Sequence, residues 1–178
     1  MKTIVIYYSH KGNNKYLANK IADRLQCDRE ELRPRLKGFL FIMLALHAGI
    51  KPVKAQLDNY ERIILVGPIY VGRLIYPLQS FIKTHRQRNV QWYFATCCGS
   101  NFQQKEDKFG HARVFEKVRA LLGHKCKDCQ AFPIDLALPE DQQKESETAV
   151  QTRLSEENFQ GRMSQLFMEY TSRLQSMY

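Results

Sequence analysis

The sequence predicts an α/β domain with a doubly wound parallel sheet, and three observations carry that prediction. Residues 3–8 (TIVIYY) and 63–66 (IILV) are apolar, β-branched or aromatic runs without polar alternation. That is the pattern of strands covered on both faces. Each run leads through a Gly-containing turn into apolar residues at helical spacing. Strand-like and helix-like segments then keep alternating, which calls for right-handed βαβ units.

The elements follow in order. After residues 3–8, a polar turn at 9–14 precedes Tyr16, Leu17, Ile21, Ala22 and Leu25, spaced as the inner face of a helix. Residues 30–32 read as a short strand ended by Pro34, and 36–48 as a helix with an apolar face. Gly67-Pro68 ends the strand at 63–66, and a loop containing Gly72 leads to a helix at 77–85. Residues 92–95 form a strand closed by a small-residue turn at 96–101. Residues 113–122 form a helix stopped by Gly123. The last strand is expected at 131–136, interrupted by Pro133. Polar residues 139–158 read as a lid-like excursion. Met163, Leu166, Phe167, Tyr170 and Leu174 mark a final amphipathic helix.

The 178 residues suit one domain over 1–178, and 44% hydrophobic with 25% charged residues is ordinary for a globular chain. No signal peptide is read at the start, and no run reaches the ~18 apolar residues of a membrane span. Five cysteines, an odd number, point to a reducing cytoplasm rather than a disulfide framework. The net charge of +9 speaks of anionic partners, not of fold. Its basic residues are scattered, with a loose cluster at Lys83, Arg86 and Arg88, and no nucleic-acid-binding motif is present. Arg33, Arg35, Lys37, Lys51 and Lys54 flank the apolar stretch 39–46, a pattern that suits peripheral contact with an anionic membrane. A helix packed back on the domain is the commoner use of such a stretch.

Parallel sheets bind ligands at the carboxyl ends of their strands. Three strand ends here carry unusual loops: 9–14, 68–72 and 96–101. The first joins a buried strand to a helix start, where free amides and the helix dipole attract a phosphate. There Gly12 lets the backbone curl, Ser9 offers a hydroxyl, Asn13 and Asn14 offer side-chain amides, and Lys11 adds charge. It fits neither the P-loop pattern nor GxGxxG.

These residues resemble a known family. Ser9-x-x-Gly12-Asn13 resembles the flavodoxin phosphate loop, written Ser/Thr-x-Thr-Gly-Asn-Thr. Gly67-Pro68-Ile69-Tyr70-Val71-Gly72 is similar to its second flavin loop, often Pro-Ile-Trp-x-Gly, and Ala95-Thr96-Cys97-Cys98-Gly99-Ser100 to its third. The likeness spans roughly residues 1–122. It implies a five-stranded parallel sheet in the order 2-1-3-4-5 and bound FMN. Ser9, His10, Lys11, Gly12, Asn13 and Asn14 would wrap the phosphate. Pro68, Ile69, Tyr70, Val71 and Gly72 would flank the ring, with Tyr70 against the isoalloxazine. Thr96, Cys97, Cys98, Gly99 and Ser100 would line its other side. Lys11 and Asn14 replace the family's two loop threonines, Tyr70 stands where Trp is frequent, and Phe102 and Phe109 are candidates for a second aromatic.

The function implied is electron transfer, or flavin-dependent reduction or oxidation of a small acceptor such as a quinone, with a redox protein or that acceptor as partner. The alternative is a non-enzymatic domain of the same fold that binds another ligand or a protein. His124-x-Cys126-x-x-Cys129 lacks the second ligand pair of a zinc site, and its CxxC does not follow the first strand as in thioredoxin. It reads as structural, as do Cys97 and Cys98, small loop residues rather than nucleophiles.

Overall fold

The computed structural model describes residues 1–35, 49–99, 110–139, 142 and 146–176. Five parallel strands form the main sheet: β1 (Thr3–Tyr7), β2 (Asp28–Glu31), β3 (Arg62–Val66), β6 (Gln91–Cys98) and β7 (Cys126–Pro133). They lie in the order β2-β1-β3-β6-β7, all neighbours parallel. Counting main-sheet strands alone, this is the expected 2-1-3-4-5. Two short strands, β4 (Ile69–Tyr70) and β5 (Arg73–Leu74), form a separate antiparallel hairpin.

Alternation along the strands divides the core in two. Ile4, Ile6, Ile63, Leu65, Trp92 and Phe94 face one side. They pack there against α2 (Tyr76–His85) and α3 (Ala112–Leu122) through Leu78, Phe81, Val114 and Val118. Val5, Tyr7, Ile64, Val66 and Tyr93 face the other side. They meet α1 (Asn13–Leu25) and α5 (Gly161–Ser176) through Leu17, Ile21, Met163, Phe167 and Tyr170. Strands buried on both faces need apolar residues at every position, which is why β1 and β3 carry no alternation. Gly67 lets α2 approach closely, since a Cβ there would lie 2.8 Å from the Leu78 side chain. Arg62 is fully buried at the start of β3, and its Nη1 donates to Leu174 O at 2.7 Å. The guanidinium thus sits at the carbonyl end of α5, the negative end of the helix dipole.

Some boundaries differ from the sequence expectation. The edge strand β2 is Asp28–Glu31 rather than 30–32. One edge of such a strand is free of pairing, so its charged residues reach solvent and carry no apolar signature. β6 continues through Thr96, Cys97 and Cys98, which therefore end a strand instead of forming a turn. The last strand is β7, not 131–136: it stops at Pro133, and Ile134–Ala137 coil into a 3-10 turn. Proline has no N–H for a sheet bond, so it fits the end of an edge strand. Polar residues such as Lys127, Asp128 and Gln130 hid the beginning of that edge strand.

The excursion 139–158 contains a short helix, α4 (Ser146–Gln151), and Leu154 behind it is buried in the second core half. The helix expected over 36–48, including the apolar stretch 39–46, lies outside the described residues, as do Phe102 and Phe109. Among the described residues no helix is long and apolar enough to cross a membrane.

Candidate functional site

β1 lies between β2 and β3, so the strand order reverses beside it. Open α/β sheets bind ligands at such a switch point, outside the carboxyl ends of the strands. A cleft of about 400 Å³ lies there. The first loop contributes Ser9, His10, Lys11, Asn13 and Asn14, and the second Pro68, Ile69, Tyr70 and Val71. The third contributes Cys97, Cys98 and Gly99. Three loops far apart in sequence therefore share one cavity.

The first loop is shaped by Gly12, the cap residue of α1, whose φ of +100° disfavours any side chain. Its N–H donates to Ser9 Oγ at 3.1 Å, folding the turn back on itself. No side chain caps α1 and its first turn holds no acid. The amides of Asn13, Asn14 and Lys15 have no acceptor within the helix. Exposed Lys11 and Lys15 add positive charge to this helix start. Amide donors, helix dipole and cations together favour an anion.

The two asparagine side chains have another use than the one expected of them. Asn14 Nδ2 donates to Cys97 O at 3.1 Å, and Cys97 N–H donates to Asn14 Oδ1 at 2.8 Å. Asn13 Nδ2 donates to Thr152 O at 3.0 Å, and Leu154 N–H donates to Asn13 Oδ1 at 3.0 Å. Both amides are clamps. One ties the first loop to the third, the other ties it to the segment behind α4. The anion-binding capacity of the loop then rests on backbone amides.

In the second loop, Val71 (φ 50°) and Gly72 (φ 63°) make the two-residue turn between β4 and β5. Both turn residues have positive φ, as a type I′ hairpin requires. A β-branched residue is strained in that region, and Val71 is also 57% exposed. Tyr70 is half-buried, and burial, helped by Tyr8, pushes its phenol up to about 12. It stays neutral at physiological pH. In the third loop, burial holds the Cys97 thiol well above its ordinary range, with Cys98 and Asp135 adding to the shift. It remains protonated and is a poor nucleophile.

Gly12, Gly72 and Thr96 do not line the cleft. The two glycines shape its loops, and Thr96 is fully buried in β6. Ser100 lies outside the described residues. Two lining residues were missed in the sequence. Ile134 follows Pro133, which was read as an interruption of the strand and is in fact its end. Ala149 comes from α4, in a polar stretch with no signal to find it. A second groove, about 850 Å³, adjoins the cleft through Tyr70 and Val71, and runs between the hairpin and α3. Arg73, Arg113 and Lys117 line it, with Glu116 as its one acid among the described residues.

The family described as Flavodoxin domain matches residues 4–140, most of the chain and all three loops. The chain belongs to the Flavodoxin domain family. The described part of this flavodoxin domain also resembles solved structures. One is a flavoprotein from Lactobacillus acidophilus NCFM in complex with FMN: 14% identity, TM-score 0.60, covering 73% of this chain and 92% of that one. Another is a putative flavoprotein from Bacteroides uniformis ATCC 8492: 14% identity, TM-score 0.61, covering 74% and 90%. A flavodoxin from Streptococcus pneumoniae TIGR4 covers 97% and 99% at 14% identity and TM-score 0.51. At such identities the likeness is one of fold. Comparison with curated proteins finds no match.

Proposed function

We propose that this flavodoxin domain, read as one domain over residues 1–178, binds FMN in the three-loop cleft and passes electrons to or from a small acceptor or a redox partner protein. The observation that carries the reading is the convergence of an uncapped, acid-free helix start with two further strand-end loops on one cleft. Its volume of about 400 Å³ lies in the ~300–1,000 Å³ range of small-molecule sites. The first-turn amides and Lys11 would hold the phosphate, and Tyr70 would lie against the ring. Gly99 would leave space beside the ring, because a Cβ there would meet nothing within 4 Å among the described residues. FMN supplies one- and two-electron chemistry, and the protein supplies position and electrostatics. The neutral Tyr70 phenol puts no charge on the ring, and the protonated Cys97 thiol does not attack it.

The adjoining groove favours an anionic acceptor, such as a quinone bearing an acid group, since three cations face one acid there. The five cysteines are free thiols, in keeping with a cytoplasmic protein.

The test is direct. The purified chain is titrated with FMN while flavin fluorescence and the visible spectrum are followed. Saturable quenching with one flavin per chain supports the reading. A colourless protein that leaves added FMN free would favour a non-enzymatic domain. Stopped-flow oxidation of NADPH, with and without quinone, then separates a reductase from a carrier.

A further inference from the structure

Residues three apart in a regular strand point to opposite faces of the sheet. Cys126 and Cys129 in β7 do not, because the strand carries an extra residue. Cys126 pairs with Trp92, but Asp128 pairs with Tyr93 and Cys129 with Phe94. Lys127 is the additional residue of a β-bulge. The two cysteines therefore stand opposite Trp92 and Phe94, alternate residues of β6 on one face. Cys129 is buried in the core beside these aromatics and Cys126 packs against the same cluster. Their sulfurs are 3.7 Å apart.

We propose that Cys126 and Cys129 form a reversible dithiol–disulfide site whose substrate is a hydroperoxide. Trp92 and Phe94, which the two cysteines oppose, are two strand positions apart, about 6.6 Å, within the ~4.4–6.8 Å over which Cα atoms can be bridged by a disulfide. The pair is asymmetric, as such chemistry requires. Cys126 is half-buried and Cys129 is buried. The contact with Cys129, joined by the Arg119 guanidinium, pulls the Cys126 thiol below its ordinary range. Cys129 is shifted the opposite way. Cys126 is then the attacking thiolate and Cys129 the resolving thiol. In the first step the Cys126 sulfur bonds to one peroxide oxygen, the O–O bond breaks, and water leaves, forming a sulfenic acid. In the second the Cys129 sulfur displaces that oxygen as a second water, and the S–S bond forms. Two thiols and one hydrogen peroxide become one disulfide and two waters.

The other thiols are not built for this. Burial pushes Cys27 up to about 11 and holds Cys97 well above the ordinary thiol range. Cys97 and Cys98 face opposite halves of the core. The dithiol is also separate from the cleft. Trp92, opposite Cys126, lies five residues before Cys97 on β6, a span of about 16 Å, so the site needs no flavin.

The reduced, desalted full chain is treated with equimolar hydrogen peroxide. Free thiols are blocked with N-ethylmaleimide, disulfides are reduced, and new thiols are labelled with iodoacetamide for peptide mapping. The iodoacetamide label is expected on Cys126 and Cys129 together, with dithiothreitol restoring both. Cys126→Ser should leave Cys129 blocked by maleimide, and Cys129→Ala should let dimedone trap a sulfenic acid on Cys126. Label spread over all five cysteines, or Cys126 driven to sulfinic acid while Cys129 stays blocked, would overturn the proposal. If Cys129→Ala fails to fold, the wild-type map decides alone.

Discussion

Asn14 and Cys97 hold each other by two hydrogen bonds, the asparagine amide pairing with both the N–H and the C=O of the cysteine as a neighbouring strand would. Asn14 is buried, so both backbone groups of Cys97 lose these hydrogen bonds away from water if the amide is removed. Asn14→Ala should destabilise the fold by about 2–4 kcal/mol, from two buried groups left unpaired. The same change should weaken FMN binding, because it releases the third loop from the first. Urea unfolding and flavin titration measure the two effects. Unchanged stability would show the clamp to be dispensable.

Asn13 makes the corresponding clamp to Thr152 and Leu154. Glu156 adds hydrogen bonds to Tyr16 at 2.9 Å and Lys20 at 2.6 Å, but on the exposed surface, where ion pairs contribute little. Asn13→Ala is expected to cost about 1–2 kcal/mol. Proteolytic cutting within 146–158 should rise out of proportion to that loss, since Asn13 is the tie nearest the cleft. Limited proteolysis against the wild type reads this out, and equal cutting rates would refute it.

Val71 occupies a turn position suited to asparagine. Val71→Asn creates the Asn-Gly pair that type I′ turns prefer, and should stabilise the protein by about 1 kcal/mol. The side chain is exposed, so little buried area is lost. A lower urea midpoint in the variant would contradict the strain argument.

His111 at the start of α3 is buried, its Nδ1 has no hydrogen-bond partner among the described residues, and its ring stacks obliquely 5.2 Å from Phe115. Burial lowers its pKa below the ordinary 6.5. His111 borders a groove between α3, β7 and α5 that Arg162 and Glu169 also line. The unfolded chain therefore takes up this proton before the folded one does. The stabilisation from the neutral imidazole is complete above pH ~6.5 and declines as pH falls below it towards the folded value. Burial, with Arg88 adding and Asp58 opposing, lowers His85 too and works in the same direction. The urea midpoint should drop between pH 7.5 and 5.5, and less steeply in His111→Gln. Parallel slopes would exclude His111 as a source.

The main sheet was legible because apolar runs at 3–8 and 63–66 have no other comfortable place than the middle of a parallel sheet. The three segments that meet at the cleft were legible for the same reason: each lies at the end of such a strand, and strand ends at a switch point converge. The role of the asparagines was not. A side-chain amide suits a phosphate and a distant backbone equally well in a sequence, and only packing brought Cys97 and Leu154 within reach. β2 was placed two residues late and the beginning of β7 escaped notice, because edge strands are solvated and carry polar residues.

By itself, then, the order of apolar runs and glycine turns determined the fold class and the edge of the sheet where the three loops meet, since hydrophobic burial and backbone freedom are local properties of the chain. The tertiary structure alone decided how that edge is held together. It also decided that a single extra residue in β7 turns Cys126 towards Cys129. Hydrogen-bond partners and strand register depend on which segments meet, and no short stretch of sequence states that.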